Sequence, residues 1–178
     1  MLKEETVKTL LRDVPDFPKP GILFKDITPL LADPGARKLV VEEIANHFRD
    51  QQVDAVAAVE ARGFIFGILL AEALDVAFVP VRKAGKLPYH KIREEYDLEY
   101  GKASIEMHVD ALKPGSRVLI HDDLLATGGT AGAAGNLIHK LGGVVAGFSF
   151  IINLAFLPGE QFLTGKFGVN PHYLARYN

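Results

Sequence analysis

The chain contains no cysteine, which removes structural disulfides, thiolate zinc sites and cysteine nucleophiles together. It also lacks a long apolar run: no stretch approaches the ~20 residues needed to cross a bilayer as a helix. The segment Met1-Leu2-Lys3-Glu4-Glu5-Thr6 lacks the cationic then apolar order of a secretory signal. A soluble intracellular (cytoplasmic) protein is therefore expected. A large surplus of one charge sign is missing too. The net charge is -2, so nothing global draws the chain to nucleic acid or to an anionic membrane, and any anion site must be local. With 178 residues, 48% hydrophobic and 24% charged, the chain has the size and composition of one globular domain.

What is present concentrates in one segment. Val118 to His121 is a short apolar run, introduced by the turn residues Lys113-Pro114-Gly115, and it reads as a buried parallel strand. Two adjacent carboxylates, Asp122 and Asp123, follow it. Ala126-Thr127-Gly128-Gly129-Thr130 then forms a small-residue turn into a helix, where unobstructed backbone N–H groups can surround a phosphate dianion. Carboxylates do not favour phosphate, but they accept hydrogen bonds from vicinal hydroxyls. Acid pair and amide nest together describe a phosphorylated ribose.

Other segments alternate in the same style. Val7, Leu10 and Leu11 suggest a short helix before the proline-studded Pro15 to Gly21. Asp33-Pro34 is a good helix entry, continued on one face by Leu39, Val40, Ile44 and Phe48. Strands are expected at Val53 to Val59, Val76 to Val81, Arg117 to His121 and Val144 to Leu154, with helices at Phe64 to Leu74 and Thr130 to Leu141. This is an α/β pattern: a mostly parallel, twisted sheet flanked by helices, with ligands beyond the carboxyl ends of the strands. The polar stretch from Arg82 to Asp110 interrupts it, and an insertion of that length is commonly a functional lid. Within it, Ser104 to Val109 alternates like an antiparallel strand.

Two loops carry cations. In Val59-Glu60-Ala61-Arg62-Gly63-Phe64 a glycine permits close backbone approach and Arg62 can grip phosphate with two donors. Arg82-Lys83-Ala84-Gly85-Lys86 places its cations around a glycine at a strand end, a local anion site on a chain of slight negative charge. His121 reads as a packed strand histidine, since a functional role for a lone strand histidine is the rarer case. The remaining histidines show no metal-ligand spacing.

The Val118 to Thr130 segment closely resembles the signature of the type I phosphoribosyltransferases, which bind 5-phosphoribosyl-1-pyrophosphate. The likeness extends, in order, through most of the chain from Phe17 to Leu154. It implies that Asp122 and Asp123 clamp the ribose, and that Ala126, Thr127, Gly128, Gly129 and Thr130 take the 5-phosphate. It implies that Arg62 lies in the pyrophosphate loop, with a non-proline cis peptide placed at Ala61 to Arg62. Arg82, Lys83 and Lys86 resemble the pyrophosphate-gripping segment of the adenine-using branch. Tyr96-Asp97-Leu98-Glu99-Tyr100-Gly101 is similar to that branch's lid, which makes Glu99 the catalytic proton carrier and Tyr100 a pyrophosphate contact. Asp16 to Pro29 is similar to its base-binding hood, where Phe24 would stack on the base and the backbones of Leu23 and Lys25 would pair with its edge; some relatives have arginine at the Lys25 position.

The implied organisation is a single domain, 1-178, with an N-terminal hood (1-32) and a lid insertion (82-110). The implied reaction transfers the phosphoribosyl group to adenine, giving AMP and pyrophosphate, with Mg2+ carried by the substrate rather than by a protein metal site. A homodimer follows from resemblance alone. Ala126 stands where the hypoxanthine-guanine branch has an aspartate, so that acid-base group is missing. The xanthine branch, which also lacks it, stays open. A regulator that senses the donor would usually add a nucleic-acid-binding domain or basic face, and neither is seen. A P-loop hydrolase is excluded by the missing Walker lysine, and no dinucleotide fingerprint is found.

Overall fold

The structure, a computed structural model, describes residues 3–97 and 101–178. Helix α1 (Glu4–Thr9) leads into a two-stranded antiparallel hairpin of β1 (Arg12–Pro15) and β2 (Leu23–Asp26), then α2 (Thr28–Ala32) and α3 (Pro34–Phe48). The Asp33 side chain accepts from the Ala36 N–H at 3.0 Å, with Pro34 opening α3, as the sequence leads one to expect. The main body continues β3 (Ala55–Val59), α4 (Gly63–Leu74), β4 (Ala77–Lys83), β5 (Lys91–Asp97), β6 (Lys102–His108), β7 (Arg117–Leu125), α5 (Gly129–Lys140), β8 (Val144–Leu154), α6 (Gly159–Phe167) and β9 (His172–Tyr177).

The large sheet has the order β5-β6-β4-β3-β7-β8-β9. Strands β4, β3, β7, β8 and β9 run parallel, while β6 pairs antiparallel with both β4 and β5. Central β3 is wholly buried and divides its side chains by parity. Ala55, Ala57 and Val59 pack with Ala134, Leu137 and Ile138 of α5 and Leu163 of α6. Val56 packs with Phe66 and Leu70 of α4 and with Val40, Ile44 and Phe48 of α3. Both sheet faces are thereby covered, which is why β3 reads as an unbroken apolar run. Gly67 is required where α4 crosses β3, because a Cβ there would overlap the Ala58 methyl.

The structure differs from the expectations in four places. Strand β7 does not stop at His121 but carries the acids in the ladder, with Asp122 opposite Phe150 and Leu125 opposite Asn153 of β8. The lid insertion is largely a β-hairpin, β5–β6, whose cross-strand hydrogen bonds satisfy a backbone that looks irregular from composition alone. The non-proline cis peptide lies at Glu60–Ala61, one residue earlier than placed, directly after the last loop residue still bonded to β4. The hood hairpin, α6 and β9 were not anticipated, because none has a long periodic pattern.

Candidate active site

Parallel pairing of β3 with β7, Ala58 opposite His121, brings the loop after β3 beside the acids at the end of β7. The approach is close: a Cβ on Gly63 would lie 3.0 Å from Asp122 Oδ1 and 3.0 Å from the His121 carbonyl. Glycine opens α4 there because the acid occupies the space. The preceding residue, Arg62, reaches over the pair and places Nε 2.6 Å from Asp123 Oδ2. Its guanidinium also sits 5.1 Å from the Phe24 ring centroid. Hood, cationic loop and acid pair, far apart in sequence, thus form one continuous surface.

Asp122 and Asp123 are unusual carboxylates. Burial pushes Asp122 well above the ordinary aspartate range, and the neighbouring Asp123 charge adds to it. Asp123 is raised as well, again by burial, with the Arg62 guanidinium pulling against the rise. One hydrogen bond helps Asp122: its Oδ1 accepts the Asp123 N–H at 2.9 Å. Buried acids short of donors are suited to a ligand that arrives with hydroxyl donors.

Beyond them the chain turns into α5 around a cavity of about 80 Å³ lined by Asp122, Thr127, Gly128, Gly129 and Thr130 among others. Gly128 has φ +81°, and a Cβ on it would come 3.0 Å from the Phe162 ring and 3.1 Å from the Gly159 carbonyl. Both demands select glycine. The first N–H groups of α5 have no intrahelical acceptor and carry the positive end of the helix dipole, so the cavity has the polarity a phosphate requires. Ala126 shapes the turn from below, its carbonyl accepting the Gly159 N–H at 3.1 Å.

In the basic segment the side chains separate. Arg82 turns to Glu60, with Nε at 3.1 Å and Nη2 at 3.2 Å from the two carboxylate oxygens, and its Nη1 donates to the Lys86 carbonyl at 2.9 Å. The Arg82 contacts, with the Lys83 N–H, hold the Glu60 acid below the usual range. Arg82 is therefore a strut of the loop. Lys83 and Lys86 are exposed, and among the described residues neither ammonium forms an ion pair.

The hood presents Phe24, half-buried, with the Phe17 ring edge-on at 5.1 Å. Leu23 is exposed. The Lys25 side chain is buried elsewhere: its Nζ lies 2.6 Å from Asp13 and 3.8 Å from the Tyr177 ring centroid. That placement leaves Lys25 only its backbone for a base. Glu99 and Tyr100 lie outside the described residues; next to them in sequence, Tyr96 reaches the cradle, its ring 3.3 Å from where a Gly129 Cβ would stand. His121 is a packing residue. Complete burial lowers its pKa to about 3, and Nδ1 lies 3.3 Å from Ser149 Oγ.

Sequence reading missed three acids that organise this region: Glu60, Glu94 and Glu106. Glu94 joins the hairpin to α5 through Asn136 and Lys140, each at 2.5 Å. Only Glu106 had an advance signal, the opposite charge of Arg93 in the neighbouring strand, and it is visible only once the register is known.

The fold is that of the phosphoribosyl transferases, and the chain belongs to that family: the phosphoribosyl transferase domain model matches residues 27–153. Adenine phosphoribosyltransferase of Sorangium cellulosum is 57% identical over 162 residues, 91% of this chain and 81% of that protein. The crystal structure of adenine phosphoribosyltransferase from Thermoanaerobacter pseudethanolicus superposes with a TM-score of 0.93 at 47% identity, covering 98% of this chain and 100% of that one. A yeast relative, adenine phosphoribosyltransferase of Saccharomyces cerevisiae complexed with an imino-altritol bisphosphate and adenine, has a TM-score of 0.88 at 38% identity, covering 96% and 97%.

Proposed function

We propose that the protein transfers the 5-phosphoribosyl group of 5-phosphoribosyl-1-pyrophosphate to adenine, giving AMP and pyrophosphate, a purine-salvage reaction. The observation that carries this reading is the contiguity of Phe24, Arg62, the Asp122–Asp123 pair and the glycine cradle, in the order base, ribose, phosphate. The identity of the relatives supports adenine over xanthine as the base. The yeast relative, crystallised with adenine, supports the same choice.

In the reaction the bond from the anomeric carbon to pyrophosphate breaks, its electron pair leaving with pyrophosphate, and a bond to adenine N9 forms. Positive charge gathers on the ribose in the transition state. Asp122 and Asp123 hold the ribose hydroxyls and place carboxylate charge beneath that centre. Negative charge gathers on the leaving group, where Lys83 and Lys86 are free to meet it and Arg62 lies at the loop; Arg82 acts through Glu60. Glu99 accepts the N9 proton, and Tyr100 covers the departing pyrophosphate. Phe24 stacks on the base while the Leu23 and Lys25 backbones pair with its edge. Mispairing such a buried edge costs ~1 to 3 kcal/mol, enough to discriminate against oxopurines.

Magnesium fits as a companion of the donor, neutralising diphosphate charge. Diphosphate oxygens and water would supply its coordination, the ion arriving with the substrate. The chain would act as one domain, with the 1-32 hood over the base and the 82-110 hairpin as lid. A homodimer is supported by the exposed apolar face of α4, Ile65, Ile68 and Leu69. Among the described residues no helix is long and apolar enough to cross a membrane, and a substrate set of nucleotide precursors supports a cytoplasmic location.

A spectrophotometric assay with magnesium, the donor and adenine, hypoxanthine, guanine or xanthine tests the reading. Turnover with adenine alone is expected, and turnover preferring xanthine overturns the choice of base. Glu99→Gln is expected to lower kcat by roughly a hundredfold, the usual scale of general-base loss, with donor binding within about twofold. Unchanged kcat would remove Glu99 from the chemistry.

A further inference from the structure

Glu106 of β6 has a fully buried side chain that is nonetheless a carboxylate with three donors. Arg93 of β5 gives Oε1 both Nε at 3.0 Å and Nη2 at 2.7 Å. The N–H of Gly85, in the turn after β4, gives Oε2 a bond of 2.9 Å. These donors, with Lys91 nearby, outweigh burial and keep the acid below its usual range. One charge thus adds side-chain bonds, beside the β4–β6 pairing, between the base of the β5–β6 hairpin and the turn that displays Lys83 and Lys86.

The turn depends on this bond. Gly85 has φ +81°, the Lys86 N–H returns to the Lys83 carbonyl at 3.2 Å, and the Ala84 N–H reaches Ser104 at 3.0 Å. Glu60 fixes the front of the turn through Arg82 and the Lys83 N–H at 3.0 Å; Glu106 fixes its apex. The two lysines flank that apex directly. Ammonium groups that must meet a diphosphate at hydrogen-bonding distance are sensitive to an ångström of displacement.

We propose that Glu106 is a positioning residue of the leaving-group site, holding the Lys83–Lys86 turn against the Arg93 end of the hairpin so that both lysines face pyrophosphate. This rests on the reading of Lys83 and Lys86 as pyrophosphate ligands. Glu106 touches no substrate. It sets where the lysines stand, and Arg93 stabilises the charge that does so.

The test measures the dissociation constant of inorganic pyrophosphate with magnesium by calorimetry, alongside the KM for adenine, in the full chain. Lys83→Met and Lys86→Met come first: if neither weakens pyrophosphate, the underlying reading fails. If they do, Glu106→Gln is expected to weaken pyrophosphate about fivefold to tenfold, with the adenine KM within twofold. Arg93→Leu should shift it in the same direction, and Arg93→Lys should restore most of the loss. The Arg93 side chain is 54% exposed, so this pair decides the matter even if Glu106→Gln fails to fold. Pyrophosphate binding within twofold of wild type in the Glu106 and Arg93→Leu variants overturns the proposal. So does an equal rise in the adenine KM, which would mark a general loss of structure.

Discussion

The ribose-phosphate side of the site and its pyrophosphate side are built by different physics. On the first, strand β7 and helix α5 place Asp122 to Thr130 by packing: backbone ladder, buried alanines, and glycines where a Cβ would collide. On the second, side chains of opposite charge tie the elements together: Glu60 to Arg82 and Glu106 to Arg93 between neighbouring strands and the loop after β3, Glu94 to Lys140 between hairpin and α5. A packed scaffold fixes a geometry that must not move while charge develops. Ion pairs with one exposed partner contribute little stability each, yet they orient a hairpin that has to admit substrate. On the proposed reading, rigidity lies where the ribose would sit, and adjustable contacts lie where the leaving group would depart.

Asp122→Asn with Asp123→Asn should break this contrast most severely. The two amides replace one acceptor oxygen of each acid by a donor, remove both charges and leave Arg62 without its ionic partner, so donor binding by calorimetry should fall by more than a hundredfold, on the order of 3 kcal/mol. The folded protein itself should not suffer, because burial disfavours both charges in the free state. Donor affinity near that of the wild type would show that the clamp lies elsewhere.

Acid should expose the same packed region next. His121 has a folded pKa of about 3 and His172 of about 4, each lowered by burial from 6.5. Below pH 6.5 the unfolded chain takes protons that the fold refuses, so their contribution to stability is complete above 6.5 and is lost as pH falls toward those values. For His121 the full loss is on the order of 5 kcal/mol. Asp122 and Asp123 act in the opposite sense: their raised pKa values make the fold bind protons more readily than the unfolded chain, which favours it as pH falls toward 3.8. Denaturant midpoints between pH 7 and 4 should therefore drop less steeply in His121→Leu and more steeply in Asp122→Asn. Parallel profiles for all three proteins would contradict the assignment.

Gly128→Ala probes the cradle more gently. A Cβ at φ +81°, 3.0 Å from the Phe162 ring, should cost about 1 to 2 kcal/mol of stability and raise the donor KM about tenfold by tilting the first N–H groups of α5. An unaltered KM together with reduced stability would separate the turn from phosphate binding.

The difference in construction also explains what could be read from sequence. The acid pair, the glycine turn and the α/β order lie within short segments whose chemistry is local, and the structure brings Arg62, Phe24 and Asp123 together as the resemblance implies. The partner of Arg82 was hidden because sequence shows a cation alone: Glu60 lies 22 positions away and meets it only through β3–β4 pairing. Glu106 was equally hidden, since its relation to Gly85 and Arg93 exists only across the β4–β6–β5 register. The hairpin itself was concealed by charge. Lys91 to Asp97 alternates between exposed and half-buried residues, so polar side chains on both faces mask the strand.

The smallest effect should come from the Glu94 link. Lys140→Met removes one of the two donors to Glu94 but keeps Asn136, and the lysine is 52% exposed. Solvent screening limits such a pair to roughly 0.5 kcal/mol, so the melting temperature should fall by no more than a few degrees. The catalytic consequence should be equally slight, because Tyr96 still packs on Gly129 beside the remaining Asn136 bond. A tenfold fall in kcat from this substitution would mean that the hairpin depends on the exposed pair for its working position, and that the charged side of the site is as exacting as the packed one.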